Sequence, residues 1–148
     1  YYVARDSGLG FMVNSHDPDA AAGDYIFYLK NTHATKHIII DRFVIGGANA
    51  ALWKFWFVTG TASGGTALTP TNTRTSSGIA ASVTCLGNSA IADLSTNGQW
   101  GVMRSGAGGS SFMQPNDSIQ IGPGDAMAVE YDTGTTGIAE CMCNFYYD

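Results

Sequence analysis

The sequence predicts an all-β antiparallel sandwich, and residues 121–148 are the strongest evidence. Gly-Pro-Gly within residues 121–125 forms a turn, because proline fixes φ and glycine accepts conformations closed to other residues. Residues 126–131 and 138–147 are then two strands of one hairpin, which turns at residues 132–137. A long paired strand of this kind is typical of sandwiches. Alternate residues of the second strand form its predicted core face, namely Ala139, Cys141, Cys143, Phe145 and Tyr147.

Composition supports a β domain that makes contacts with other proteins. Charged residues are 13% of the chain, against about 25% in ordinary soluble domains, and glycine occurs 19 times. Polar but uncharged surfaces suit large protein contacts, because few ions must be desolvated. With 148 residues the chain is expected to be one domain whose core needs no disulfide or metal.

Charge and hydropathy exclude two classes of partner. Seven scattered Lys and Arg residues form no basic patch, so we expect no nucleic-acid partner. No apolar run reaches the ~18 residues that span a bilayer, so we expect no membrane contact. The net charge of −5 is unevenly distributed along the chain. All charged residues after Arg104 are acidic, and no acidic residue lies between Phe43 and Ala92. This split either favours contact between copies of the chain or merely keeps the surface soluble.

The three cysteines are predicted to be free. Cys141 and Cys143 lie two apart on one strand face, too far and too parallel for easy bonding, and Cys85 is distant in sequence. Buried thiols that act as small hydrophobic groups fit assembly in a reducing cytoplasm.

Strand patterns predict eight strands from residue 24 onward. Besides the final hairpin, they cover residues 24–30, 36–45, 52–59, 79–86, 99–104, and the pair 110–113 and 117–121 counted as one. Residues 1–5 and 11–14 are short extended candidates, and residues 16–24 are a polar connector with room for one helical turn. The expected organisation is a short N-terminal arm, residues 1–23, and a β domain, residues 24–148.

Two features suggest contacts beyond the single domain. Trp56 is on the opposite strand face from Trp53 and Phe55, so it either lies under a loop or contacts a neighbouring subunit. Residues 59–78 form a twenty-residue loop with seven threonines and no acid. Loops of this length are functional or flexible, and stiff threonines favour an extended course against a partner subunit or a sugar.

The chain resembles the small jelly-roll virion proteins of tailed bacteriophages. The resemblance covers about residues 24–148 and depends on Trp-Lys-Phe-Trp-Phe-Val-Thr from residue 53, Gly-Thr-Ala-Leu-Thr-Pro-Xaa-Asn at residues 65–72, and the final hairpin. These proteins are similar to capsid decoration or cement proteins, which trimerise on the outside of the head shell. The resemblance implies an eight-stranded antiparallel jelly-roll sandwich, a homotrimer, and the major capsid protein as partner. It places the chain on the outer surface of the virion head, assembled in the host cytoplasm.

We therefore expect a structural virion protein that stabilises the shell by binding across capsid subunits. The alternative is a receptor- or carbohydrate-binding module of a phage tail fibre or spike. The residues expected to contact the shell or another subunit lie in the arm, on the strand at residues 52–59 and in the loop at residues 59–78: Tyr1, Tyr2, Phe11, Met12, Trp56, Thr69 and Arg74.

The sequence gives no support for an enzyme, a metal or another cofactor. His33, His37 and Asp41 are four residues apart, but the turn before the 36–45 strand directs His33 elsewhere. The acids from Asp17 to Asp24 lack the ordered ligand spacing of a calcium loop and are expected to be solvated turn residues. No Gly-Xaa-Ser-Xaa-Gly nucleophile motif occurs.

Overall fold

A computed structural model describes residues 2–148, apart from the side chain of Tyr2, and all of its regular secondary structure except one short helix is β-strand. Extended segments rich in Val, Ile and aromatic residues form the long strands. The elements are α1 (Tyr2–Asp6), β1 (Gly10–Ala20), β2 (Asp24–Asn31), β3 (Ile38–Gly47), β4 (Ala51–Thr59), β5 (Ser63–Ala67), β6 (Thr71–Asn72), β7 (Val83–Ala92), β8 (Ser95–Ser105), β9 (Ser110–Met113), β10 (Gln120–Ile121), β11 (Ala126–Gly134) and β12 (Gly137–Tyr147).

The strands form two antiparallel sheets packed as a sandwich, which confirms the predicted all-β antiparallel sandwich. Sheet A has the order β10-β3-β12-β1-β6, with β9 also paired to β3. Sheet B has the order β5-β7-β2-β11-β4-β8. The described residues thus contain twelve strands where eight were expected, because β1, β5 and β6 fall in segments predicted to be arm, connector or loop, and two short strands had been merged.

The core lies between the two inner faces and is rich in aromatic rings. The ring centroids of Phe43 in sheet A and Phe55 in sheet B are 5.2 Å apart. The predicted inner face of β12 is confirmed, since all five of its alternating residues are buried. The cysteines are confirmed as free and buried. Burial raises the pKa of the Cys85 thiol to about 12, as expected for a thiol that packs as a hydrophobic group.

The predicted N-terminal arm of residues 1–23 is wrong for residues 10–20, which form β1 within sheet A. This strand pairs with β12 from Gly10 opposite Tyr146 to Asp17 opposite Ala139. The supposed polar connector continues the same strand, because backbone pairing does not require apolar side chains. Pro18 lies in the register shift between Asp17 and Ala20, where a missing N–H is tolerated.

Residues 1–5 were expected to be extended, but α1 is a short helix. Tyr1 lies outside the described residues. The backbone N–H of Leu9 donates to the carbonyl of Ala4 and closes the helix end. The Arg74 guanidinium donates to the carbonyl of Asp6 at 2.6 Å, which ties the helix to the segment just after β6.

The threonine-rich loop is extended as expected, but it runs along its own domain. We call residues 60–73 the strap. Its first half, β5, pairs with β7 at the edge of sheet B, and its second half, β6, pairs with β1 at the edge of sheet A. The N–H of Leu68, between these halves, donates to the carbonyl of Cys85. The strap therefore joins the two sheets along one side of the sandwich.

Beneath the strap, β1 and β7 approach closely. The Ser15 hydroxyl donates to the carbonyl of Ile26 at 2.7 Å and accepts the N–H of Asn88 at 3.0 Å. A Cβ added at Gly87 would lie 2.6 Å from Leu68 Cδ1 and 2.8 Å from Ser15 Cβ. Because β1, β7 and the strap meet at position 87, there is no space for a side chain there and glycine is needed.

Candidate interaction surface

The residues expected to make contacts do not form one surface. Phe11 is fully buried between the sheets, so its prediction as a contact residue is wrong. Met12, the next residue, is half-buried on the outer face of sheet A. Thr69 and Arg74 are exposed in and just beyond the strap, on the same side of the molecule as β6. Trp56 lies on the opposite sheet, and the side chains of Tyr1 and Tyr2 lie outside the described residues.

Trp56 is half-buried on the outer face of sheet B and has partners within the chain. Its indole N–H donates to Glu130 Oε1 at 3.0 Å. It packs with a small apolar cluster that also includes Tyr28 and the loop residues Ala62 and Leu94. Desolvation in this setting raises the pKa of the Glu130 carboxyl. The structure thus gives Trp56 intramolecular contacts near a loop, the first of the two alternatives.

The outer face of sheet A carries two exposed large apolar side chains, Phe112 and Ile138. Side chains of β1, β12, β3 and β9 alternate, and one outward row runs Asn14, Met142, Val44, Phe112. Phe112 is 67% exposed. We define the outer patch by its large apolar side chains: Met12, Val44, Phe112, Ile138 and Met142.

A shallow groove of about 540 Å³ lies beside Phe112 on the same face. Gly46 lies beneath one edge of the groove and is itself buried. A Cβ there would lie 2.6 Å from the carbonyl oxygen of Gly109, so the turn before β9 closes one wall. The remaining walls come from β1, β3 and β12, including His16, Ala48, Ile138 and Glu140.

The charged groups of this face are few. His16 Nδ1 lies 3.6 Å from Glu140 Oε2, and both side chains are more than half exposed. Such a pair contributes at most about 1 kcal/mol in water. Arg42 and Asn144 lie two cross-strand rows away from the His16–Glu140 pair. Arg42 Nε and Asn144 Oδ1 are buried, and neither atom has a hydrogen-bond partner in the described part of the chain. These residues face each other across β3 and β12, directly beside the outer patch.

The residues considered as metal ligands or catalysts do not converge. His33 Nδ1 accepts the N–H of Lys36 at 3.1 Å, whereas His37 lies beside Asp148. Asp17 Oδ1 accepts the N–H of Asp19, and Asp24 Oδ2 accepts that of Ala21, as turn residues do. Within residues 2–148, no three His, Cys, Asp or Glu side chains are grouped closely enough to hold a metal ion.

No family model, curated protein or solved structure matches the chain. None of the helical residues described forms a segment long and apolar enough to cross a membrane. Interpretation of the surface therefore depends on its own geometry. The outer patch offers apolar side chains on a rigid sheet, and three of them, Val44, Ile138 and Met142, also line the shallow groove of about 540 Å³.

Phe112 is the surface residue that the sequence did not single out. The strand over residues 110–113 was predicted and is confirmed as β9. Four residues are too few to show which alternate side is buried, and Met113 on the inner side is as apolar as Phe112. The available signal lay two strands away on β12, where Ile138 and Met142 already marked the outward side of the final hairpin as partly apolar.

Proposed function

We propose that the sandwich has jelly-roll topology. The order β1-β12-β3-β9 in sheet A and β2-β11-β4-β8 in sheet B supports this proposal, because the jelly roll alternates the first and last strands of the chain between two four-stranded sheets. Strands β5, β6, β7 and β10 are then additions to an eight-stranded frame. In this assignment β1 is the first strand of the roll.

We propose that the chain is a structural virion protein, a capsid decoration or cement protein that binds as a homotrimer on the outside of a bacteriophage head. The observation that carries the proposal is the outer patch, in which Phe112 and Ile138 are exposed and the three other apolar side chains are half-buried on a rigid sheet. Such patches mark protein-binding sites when they exceed what a monomer ordinarily exposes. The resemblance noted in the sequence supplies the virion as the setting and the major capsid protein as the partner.

The proposed mechanism is mechanical. A protein that spans the joints between shell subunits adds buried surface at each joint, so expansion or internal pressure must also break these added contacts. Preformed strands suit this role, because little conformational entropy is lost when a rigid face binds. The chain's own chemistry contributes no reaction in this mechanism.

The proposal is tested on purified virus particles from a lysate in which the chain is made. We expect many copies per head by mass spectrometry, and electron cryomicroscopy should show the density on the outer shell. Heads that lack the protein should rupture at lower temperature and recover when the purified protein is added. Particles without the chain, or density on the tail only, would contradict the proposal. Reproducible glycan binding that is lost on mutating exposed strap residues would favour the tail receptor- or carbohydrate-binding module.

A further inference from the structure

Asn97 differs from the other asparagines of the chain in its neighbour and in its freedom. No other asparagine is followed directly by glycine. The Asn97 side chain is exposed on β8, and it forms no hydrogen bond within the described part of the chain. By contrast, Asn88 Oδ1 accepts the backbone N–H of His16, and Asn72 Nδ2 donates to a backbone carbonyl.

The backbone at Asn97 bulges out of the regular ladder. The pairing of β8 with β4 shifts register between Thr96 and Gln99, so Asn97 and Gly98 together lie opposite the single residue Phe57. β8 is also the outermost strand of sheet B, so no strand of that sheet covers its other side. Gly98 has a φ of +109°, and apart from its chain neighbours no atom lies within 4 Å of where a Cβ would be. This segment has space to change its backbone angles.

An asparagine in such a setting converts without an enzyme. The backbone nitrogen of the next residue loses its proton and attacks the side-chain Cγ. A C–N bond forms to the backbone nitrogen, the C–N bond to the amide group breaks, and ammonia leaves. Water then opens the cyclic succinimide to aspartate or isoaspartate. Glycine is the most favourable attacking residue, because it has no side chain to hinder the approach and accepts many backbone angles.

We propose that Asn97 is a site of spontaneous deamidation in the native protein. The product carries one additional negative charge, which changes the formal net charge from −5 to −6. The new carboxylate lies within residues 95–103 of β8, where no side chain is charged. Charges on an edge strand hinder its pairing with strands of other chains. This modification is independent of the proposed virion role, because it depends only on the sequence and geometry of β8.

The first test follows the whole protein at pH 8, at a raised temperature below its melting transition, with peptide mapping by mass spectrometry. The peptide that contains Asn97 should gain aspartate and isoaspartate before any other asparagine peptide does. Asn14 is the matched internal control, because it is also exposed on a strand but is followed by Ser15. Equal rates at Asn14 and Asn97, or earlier conversion at Asn14, would overturn the proposal.

The second test separates the folded strand from the Asn-Gly pair alone. A synthetic peptide of residues 93–102 contains the same pair without the sheet. We expect the native protein to convert at most severalfold more slowly than the peptide, because the bulge leaves the segment free. A protein that converts more than an order of magnitude more slowly would show that the sheet holds the segment rigidly, against the proposal.

The third test uses the charge of the product. Anion-exchange chromatography of aged wild type should resolve a more acidic form, and Asn97→Gln should not produce it. An acidic form that persists in this variant would place the reaction elsewhere. Isoaspartate adds an atom to the main chain where the ladder is already interrupted, so the isolated acidic form should melt at the same temperature as Asn97→Gln. A lower melting temperature would contradict the bulged geometry on which the proposal depends.

Discussion

Replacing Phe11 by alanine tests whether the first strand is part of the core. Phe11 is fully buried, its ring lies 5.5 Å from that of Phe145 in a stacked arrangement, and it meets the ring of Tyr147 edge-on at 5.8 Å. Removing a buried phenylalanine side chain costs about 3–5 kcal/mol of unfolding free energy, because apolar contacts are lost and a cavity remains. This is a large share of the 5–15 kcal/mol that stabilises an ordinary domain.

The corresponding shift in melting temperature follows from the size of the domain. An unfolding entropy of about 2.1 cal/mol/K per residue gives roughly 0.3 kcal/mol/K for this chain, so Phe11→Ala should lower the Tm by about 10–16 °C. Met12→Ala is the control. Its side chain is half-buried on the outer face of sheet A, and we expect a loss of about 1–2 kcal/mol.

Thermal and guanidinium unfolding followed by circular dichroism provides the measurement. Both variants should keep the β spectrum at low temperature, so that the midpoints report stability. If Phe11→Ala and Met12→Ala lose the same small amount, β1 is not packed between the sheets. Residues 10–20 would then belong to a detached arm after all.

Three further predictions concern packing, protonation and thiol reactivity. Gly87→Ala should destabilise the fold by about 1–3 kcal/mol in urea unfolding, because its Cβ has no space beneath the strap, whereas Gly78→Ala, with nothing within 4 Å, should be close to neutral. The raised pKa of Glu130 means that the unfolded chain releases this proton first, so wild-type stability should fall as pH rises through the unfolded and then the folded pKa. Glu130→Gln should show a smaller fall between pH 4 and 7, and an unchanged pH profile would contradict the assignment. Burial raises the pKa of all three cysteine thiols, so a thiol reagent at pH 8 should label them only on unfolding, and rapid labelling of the native protein would contradict this.

The final hairpin was predictable because its pattern is complete over many residues. Every second residue from Ala139 to Tyr147 is buried on one face, and the buried Asn144 is the one interruption on the other face. The strand at residues 10–20 was not predictable over its second half. His16, Asp17 and Asp19 resemble a connector, and only the backbone of β12 opposite them makes the segment a strand. Pairing between strands distant in sequence overrides local preference in this case.

The candidate surface was less predictable than the core. Threonine content correctly indicated that the strap is extended, but nothing local identifies which surface an extended loop follows. Trp56 attracted attention because it is large, although Glu130 on the neighbouring strand binds its indole N–H. Phe112 was hidden in a four-residue strand. Whether Phe112 is exposed depends on which strands lie beside and across from β9, and the local sequence of a four-residue strand does not determine this.

The placement of β11 and β12 has a consequence for synthesis. These strands are made last among the described elements, yet β11 lies between β2 and β4, and β12 lies between β1 and β3. Neither sheet can close while the ribosome is still producing the hairpin, so the earlier strands wait with unpaired edges and exposed aromatic residues. Chains dominated by such distant pairings fold slowly and are prone to aggregate before completion. Yield of soluble protein should therefore respond to chaperone supply and growth temperature more strongly than the stability of the finished domain would suggest.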